Sequence, residues 1–345
     1  MGEAWACGFV ISCKRAISSR RAISFSRSGG VPYDENVATS EAGAARSRWF
    51  VLVWAIPLAV LVAFLVVLVA QGVRALPAVQ SFLTEYPGES ALPASAPVGF
   101  PAWVEWQHFL NSFFILFLIR SGWQIRTTKR PTVLWTRNNS ELIRTRNRPV
   151  RVSLTVWFHI VFDTVWVLNG VLFYVLIFAT GQWMRLVPVS WDIFPNALAA
   201  GIQYAALDWP VANGWVNYNA LQLISYFVTV FVAAPLALLT GIRVVPGLAA
   251  RFRPLDRVFS IRVARTIHFA VMLYFVAFII VHVTLVLATG ALRNLNHMYA
   301  GRDDASWIGF WIFAASIVVM IVAWVAAKPG VLAAIAGRSG TIRKV

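Results

Sequence analysis

Five histidines are the side chains best suited to chemistry in this sequence of 345 residues. Four of them, His108, His159, His268 and His282, lie in long apolar segments, whereas His297 lies in a polar stretch between two such segments. Ionisable side chains are rare in membrane-type segments and by default indicate a functional site. Because imidazole binds metals and carries protons, these positions predict metal binding or proton transfer.

The spacing of His268 and His282 carries the most information. They are 14 residues apart, so on one helix they lie within about 40° of the same face and about 21 Å apart along the axis. A single helix would therefore present two imidazoles to the same interior, one towards each side of a membrane.

Long apolar helices must position these side chains. The chain is 59% hydrophobic and 13% charged, against about 25% charged residues in soluble domains. A membrane-spanning helix needs about 20 mainly apolar residues, and six stretches reach that length. The predicted spans are residues 50–71, 103–122, 153–180, 217–241, 266–290 and 307–327. We therefore predict an all-α integral membrane protein with six transmembrane helices.

The distribution of positive charge predicts the orientation of these spans. The net charge is +16, and the segments 1–48, 123–151, 242–265 and 328–345 together contain 25 Lys and Arg, whereas the alternate loops contain 4. Cytoplasmic loops of membrane proteins carry this excess. We expect a multi-pass protein of the bacterial cytoplasmic membrane with both termini in the cytoplasm, and no nucleic-acid partner.

This orientation brings the four histidines to two matched depths. His159 and His268 form the inner pair, near the cytoplasmic side, and His108 and His282 form the outer pair. A haem held by two histidines needs neutral imidazoles at one depth on facing helices. The pattern predicts two non-covalent b-type haems inside a four-helix bundle.

Two glycines are expected where a helix that ligates one haem passes the other. Gly122 follows His108 by 14 residues, and Gly170 follows His159 by 11 residues. Both fall close to the face of their histidine and near the depth of the other pair. A small residue there allows close approach, although glycine is also common in transmembrane helices.

Cationic residues near the inner pair are candidates for the haem propionates. Arg262 and Arg265 precede His268, and Arg151 precedes His159. Each can equally be an ordinary positive-inside residue. Pro235, in the fourth span, predicts either a distortion that makes room beside a haem or an incidental proline.

Other readings of these residues stay open. The histidines could serve a proton-coupled transporter, or the chain could be a haem-free membrane anchor. Asp163, one turn after His159, is expected to hydrogen-bond inside the bundle or to pass protons to a quinone; Glu105 is expected at the interface. We expect His297 to be a solvated loop residue, with contact to a partner or a quinone as the alternative.

The ligand order resembles that of the cytochrome b subunits of nickel–iron hydrogenases and respiratory formate dehydrogenases, the bacterial cytochrome b561-like family. The segments that carry the resemblance are His108-Phe-Leu-Asn111 with Ser121-Gly122, and His268 through His282. The resemblance covers residues 103–290, the expected dihaem core. Outside it lie a cytoplasmic tail at 1–48, an additional first helix at 49–72, a sixth helix at 306–327 and a cytoplasmic tail at 328–345.

This resemblance implies a redox subunit rather than a self-sufficient enzyme. Such a subunit passes electrons between a catalytic oxidoreductase partner, a molybdopterin enzyme or a hydrogenase, and the membrane quinone pool. The additional first helix departs from the family pattern and would invert the core. The resemblance therefore leaves open which haem meets the quinone and which membrane face the partner uses.

Overall fold

The computed structural model describes residues 35–139, 149–209, 213–247 and 256–345, with side chains from residue 53 onwards. The chain divides into two compact units, Met1–Val62 and Ala63–Val345. The first unit holds the start of helix α1 (Glu35–Arg74), and the second holds the other helices and a small β-sheet. The predicted tail at 1–48 lies largely outside the described residues.

Within the described part of the chain, five helices are long and apolar enough to cross a membrane. They are Val53–Arg74 within α1, α4 (Leu154–Ala179), the continuous segment Ala220–Val244, α8 (Ile261–Ala288) and α10 (Ile308–Ala326). Their apolar side chains are largely exposed, as in the part of α1 that carries Phe64 and Val69, because in a membrane those side chains contact lipid. The prediction of a helical multi-pass membrane protein is confirmed at this level.

The predicted span at 103–122 is helix α3 (Ala102–Thr127). Its 26 residues measure about 39 Å, which is enough to cross a bilayer. It is not among the five, because Glu105, Gln107, His108 and Asn111 reduce the hydropathy of its first half. The sixth span therefore stays a prediction.

Shorter elements occupy the connections between these helices and the C-terminal segment. They are α2 (Pro77–Glu85), a 3₁₀ helix (Gln182–Arg185), α5 (Ile193–Ala205), α9 (Ala291–Tyr299) and α11 (Pro329–Ala336). The sequence analysis did not predict them, because short helices in polar connections lack the long apolar signal of a span.

Polar caps determine where three of the long helices begin. Ser153 accepts a hydrogen bond from the amide of Val156 at the start of α4, and Ser260 accepts one from Val263 at the start of α8. Asn219 forms a reciprocal capping box with Gln222 at the start of α6 (Ala220–Phe227). These bonds satisfy amides that have no partner within the first turn.

The fourth span is distorted around Pro235. A π-helix (Val228–Ala233) joins α6 to α7 (Ala234–Val244). Pro235 has no amide hydrogen to donate to the carbonyl of Val230, five residues earlier. The hydroxyl of Tyr174, on α4, donates to that carbonyl at 2.5 Å instead. The distortion predicted at Pro235 is present, and it ties the fourth span to α4.

The central helices pack as two couples. Helix α3 packs chiefly along α4, and α7 packs chiefly along α8. Phe117 and Phe158 are buried between the first couple, and Val271 and Phe275 are buried in the second. Because fewer contacts join the couples across the bundle, the space between them can hold a bulky group.

A three-stranded antiparallel sheet in the order β2–β1–β3 lies beside one end of α4. Its strands are β1 (Val133–Arg137), β2 (Arg151–Ser153) and β3 (Gly340–Lys344). The indole of Trp135, in β1, donates to the carbonyl of Ala336 at 3.0 Å and holds the C-terminal segment to this sheet. The segment predicted as a tail at 328–345 is therefore folded, through pairing of β3 with β1, a strand more than 200 residues earlier.

Gly309 offers a test of the packing of α10 on α9. A side chain there would place its Cβ atom 2.5 Å from the backbone of Leu295 and Asn296. We expect Gly309→Ala to lower the unfolding free energy by about 1–3 kcal/mol through overpacking. Tryptophan fluorescence during thermal unfolding in detergent measures the change.

Gly330 provides the matched control in the same assay. No atom lies within 4 Å of the position where its Cβ would stand. Gly330→Ala should leave stability unchanged or raise it, because alanine restricts the unfolded chain. Equal loss of stability in both variants would contradict the close packing assigned to Gly309.

Candidate functional site

The inner pair consists of His159 on α4 and His268 on α8. Their ring centres are 6.2 Å apart and the ring planes are inclined by 75°. The outer pair consists of His108 on α3 and His282 on α8, with ring centres 6.3 Å apart and an inclination of 54°. The four histidines of the apolar segments therefore meet in the two couples that the sequence analysis predicted.

The separation of the rings matches two imidazoles on opposite sides of one metal. Imidazole nitrogens bind transition metals at about 2 Å, and the ring centre lies roughly 1 Å further away, so two such rings have centres about 6 Å apart. Both pairs have this separation, 6.2 and 6.3 Å. Each therefore leaves room for a single metal atom between its rings.

Each pair supplies only two protein ligands. Among the residues that the structure describes, no three side chains of His, Cys, Asp or Glu come together as a metal site. A zinc site closed by four protein ligands therefore does not fit at either pair. A metal held there must take its other ligands from a non-protein group, and a haem supplies four equatorial nitrogens.

Hydroxyl groups orient both histidines of the inner pair. Ser121, on α3, lies 2.7 Å from Nδ1 of His159, and Thr240, on α7, lies 2.9 Å from Nδ1 of His268. Both hydroxyls donate to carbonyls of the preceding helical turn. Each hydroxyl oxygen is thus the acceptor for an Nδ1–H, which leaves Nε2 unprotonated and able to bind a metal.

The sequence analysis missed the role of these hydroxyls. Ser121 and Thr240 each stand directly before a glycine in an apolar segment, in Ser121-Gly122 and Thr240-Gly241. A Cβ on Gly122 would lie 3.7 Å from Cε1 of His159, and one on Gly241 would lie 3.4 Å from Cε1 of His268. The repeated dipeptide, a hydroxyl followed by a glycine, was the available signal.

Aromatic rings surround the outer pair. Phe278 stacks on His282 with a 7° inclination, and Tyr226 meets the same ring edge-on at 6.0 Å. Tyr299 meets His108 at 5.6 Å. Nδ1 of His108 is buried and has no hydrogen-bond partner within the described part of the chain. An unpaired buried nitrogen is costly, which supports a site whose remaining partner is a bound group or water.

A cavity of about 1590 Å³ extends from the outer pair. Gly170 lines it, and no atom lies within 4 Å of the position where a Cβ on Gly170 would stand. Gly122 lies instead beside the inner pair, against His159. Gly122 is therefore near the pair that its own helix does not ligate, as expected, whereas the depth expected of Gly170 stays a prediction.

The cationic candidates lie at exposed positions, and their role beside haem propionates stays a prediction. Arg262 and Arg265 are exposed at the start of α8 and form no side-chain hydrogen bond or ion pair with described residues; Arg151 is exposed at the start of β2. The guanidinium of Arg126, which was not among the candidates, lies 3.9 Å from the ring centre of Phe269, the residue that follows His268.

The two acidic candidates, Asp163 and Glu105, lie in different parts of the structure. Asp163 lies near the inner pair, with a carboxylate oxygen 3.8 Å from the Cβ position of Gly241. It makes no side-chain hydrogen bond to described residues, so the structural hydrogen bond expected of it is not seen. Glu105 packs instead against the turn at Gly301.

The expectation that His297 is a solvated loop residue is wrong. It lies in α9 and is 4% exposed. Its Nε2 lies 2.7 Å from the carboxylate of Asp303, which also accepts two hydrogen bonds from Arg293. The carboxylate thus ties the turn after α9 to that helix, while the rings of Phe100 and Trp215, from other parts of the chain, pack against the imidazole of His297.

No protein-family description, curated protein or solved structure matches this chain. The geometry of the histidine pairs and of the cavity therefore carries the functional argument.

The cluster of His297, Asp303 and Arg293 predicts a pH-dependent contribution to stability. Hydrogen bonds from Arg293 and His297 hold the pKa of Asp303 well below its usual range. Burial lowers the pKa of His297, although Asp303 opposes that effect. Both groups have a lower pKa in the folded than in the unfolded protein, so stability is present above their ordinary pKa values and is lost on acidification.

Thermal unfolding of wild type and Asp303→Asn between pH 7 and pH 3 tests this dependence. We expect wild type to be the more stable at pH 7 and the difference to shrink as the pH falls below about 4, the ordinary pKa of an aspartate. A difference that stays constant over this range would contradict the role of the carboxylate.

Proposed function

We propose that this protein is a membrane dihaem cytochrome b that transfers electrons between a catalytic oxidoreductase partner and the quinone pool. One observation carries the proposal: two histidine pairs, each with ring centres just over 6 Å apart, share the helix α8. Six spans, with α3 as the second, and a four-helix haem bundle form the proposed architecture. The described residues support this architecture because few contacts join the α3–α4 couple to the α7–α8 couple, which leaves space for a bound group between them.

The chain's own residues would hold two haems. His159 and His268 would bind one through Nε2, with Ser121 and Thr240 fixing both rings from behind. His108 and His282 would bind the other beside Gly170 and the large cavity. A bound haem supplies one-electron chemistry, while the protein contributes ligation, orientation and exclusion of water.

The charge distribution supports the proposed orientation. Both termini lie in the cytoplasm in this arrangement, and the chain resides in a bacterial cytoplasmic membrane. His159 and His268 then form the inner site. The resemblance to the cytochrome b561-like family supports a partner of the molybdopterin or hydrogenase type, for which this chain is the redox subunit and membrane anchor.

Haem quantification and a reduced-minus-oxidised spectrum of the purified protein test the proposal. We expect two haems per chain after expression in a haem-replete host. His282→Ala should remove the haem of the outer pair alone, and His268→Ala that of the inner pair, because each variant removes one of the two histidines that would hold that haem. His297→Asn is the matched control and should retain both.

A wild-type protein without haem would overturn the proposal and favour a transporter or a haem-free anchor. Two six-coordinate haems in both alanine variants would show that the ligand assignment is wrong.

The hydroxyls behind the inner pair predict a shift in one reduction potential. An acceptor for Nδ1–H makes an imidazole a more basic ligand and stabilises the oxidised metal. Ser121→Ala or Thr240→Val should raise the potential of the inner haem by on the order of 40 mV, the one-electron equivalent of about 1 kcal/mol. Potentiometric titration followed by visible absorption measures it.

Ser81→Ala and Thr164→Val are the controls for this shift. The hydroxyl of Ser81 donates to the carbonyl of Pro77, and that of Thr164 donates to the carbonyl of Ile160, each within its own helix. Neither should move either potential. If Ser121→Ala and Ser81→Ala behave alike, Ser121 does not act through His159.

A further inference from the structure

The large cavity exceeds the space that one bound group requires. Pockets that hold a single ligand or cofactor usually measure about 300–1,000 Å³, whereas this cavity measures about 1590 Å³. It begins at the outer pair and reaches His297 and Arg185 at its other end. The end near His297 therefore offers a second compartment beyond the rings of His108 and His282.

His297 presents a hydrogen-bond acceptor to this compartment. Its Nε2 is bonded to the carboxylate of Asp303, so in the neutral ring the proton lies on Nε2 and the lone pair on Nδ1. Nδ1 makes no hydrogen bond to described residues. A buried imidazole aligned by a carboxylate in this way is suited to accept a hydrogen bond from a ligand's hydroxyl group.

Two tyrosines join this compartment to the outer pair. Tyr218 and Tyr226 both line the cavity, and their rings meet edge-on with centres 4.9 Å apart. Tyr226 in turn contacts His282. Neither hydroxyl hydrogen-bonds to the described part of the chain, so both are available to a ligand that carries oxygen atoms at opposite ends of a ring.

The cavity also reaches the surface that faces lipid. Its lining includes Ile280, Val281 and Leu287 of α8, which are 62%, 57% and 48% exposed. Apolar side chains exposed on a membrane-spanning helix contact hydrocarbon. A ligand with a long apolar tail can therefore enter sideways from the bilayer and leave its tail among these residues.

We propose that the end of the cavity bounded by His297, Asp303 and Tyr218 binds the head group of a membrane quinol. Nδ1 of His297 accepts a hydrogen bond from one quinol hydroxyl, and the hydroxyl of Tyr218 donates a hydrogen bond to a quinol oxygen. The proposal rests on the proposed function, and it places the quinol on the side of the outer pair. Arg185 also lines this end of the cavity: two of its guanidinium nitrogens donate to the carbonyls of Gly99 and Gly214, and its Nε is buried without a partner among the described residues.

Equilibrium binding of decylubiquinol and of a short-chain menaquinol to the full-length protein, kept reduced in lipid nanodiscs, tests the site. We expect one saturable site per chain for at least one of the two probes. His297→Leu should weaken binding at least tenfold because the acceptor is lost. His297→Asn should retain part of the binding affinity that His297→Leu loses, because the amide oxygen of asparagine stands close to the position of Nδ1.

Tyr218→Phe keeps the ring and removes only the hydroxyl, so it tests the site if His297→Leu does not fold. It should weaken binding without altering the haem content of the same sample. Arg302→Ala is the control, because Arg302 is exposed and paired with Asp304 outside the cavity. It should bind as wild type does.

Haem content separates failure of this site from failure of the proposed function. Two haems without quinol binding would overturn the site and leave the cytochrome intact. Wild-type affinity in both His297→Leu and Tyr218→Phe would also overturn it. Equal affinity for hydroquinone, which has no tail, would replace a membrane quinol by a water-soluble phenol and contradict the proposal.

Discussion

The arrangement of this protein depends on one helix that carries a histidine for each of two pairs. His268 and His282 lie on nearly the same face of α8, separated by about 21 Å. Helices α3 and α4 must then approach that face at two different depths, so that His108 stands opposite His282 and His159 stands opposite His268. The packing of α3 on α4 and of α7 on α8 follows this geometry, because it leaves fewer contacts between the two couples than within each of them.

Several polar groups inside the bundle find their hydrogen-bond partners on helices other than their own. Tyr174 bonds to the carbonyl that Pro235 leaves without a partner, and Ser121 and Thr240 bond to the histidines of neighbouring helices. In an apolar environment each such bond avoids a large desolvation cost. The same bonds therefore hold the bundle together and hold the imidazoles in the tautomer that can bind a metal.

Sequence patterns predicted the features that arise within single helices. Apolar segment length predicted five of the spans, and the helical period predicted that His268 and His282 share a face. The position of Gly122 beside the inner pair followed in the same way. Patterns within one segment did not predict the sheet that joins residues 133–137 to 340–344, nor the burial of His297 by Asp303 and Arg293. Those features depend on contacts between segments that lie apart in the chain or are connected by irregular turns.

The sequence alone determined that this is a helical membrane protein with four histidines at two depths, because hydropathy, charge and helical period act locally. Only the tertiary structure decided the distance between the rings of each pair, the hydroxyls behind His159 and His268, and the second compartment beside His297. These depend on how far apart packed helices stand and how side chains meet across the gap. A difference of one or two ångströms there determines whether a metal fits, and no spacing along the chain specifies it.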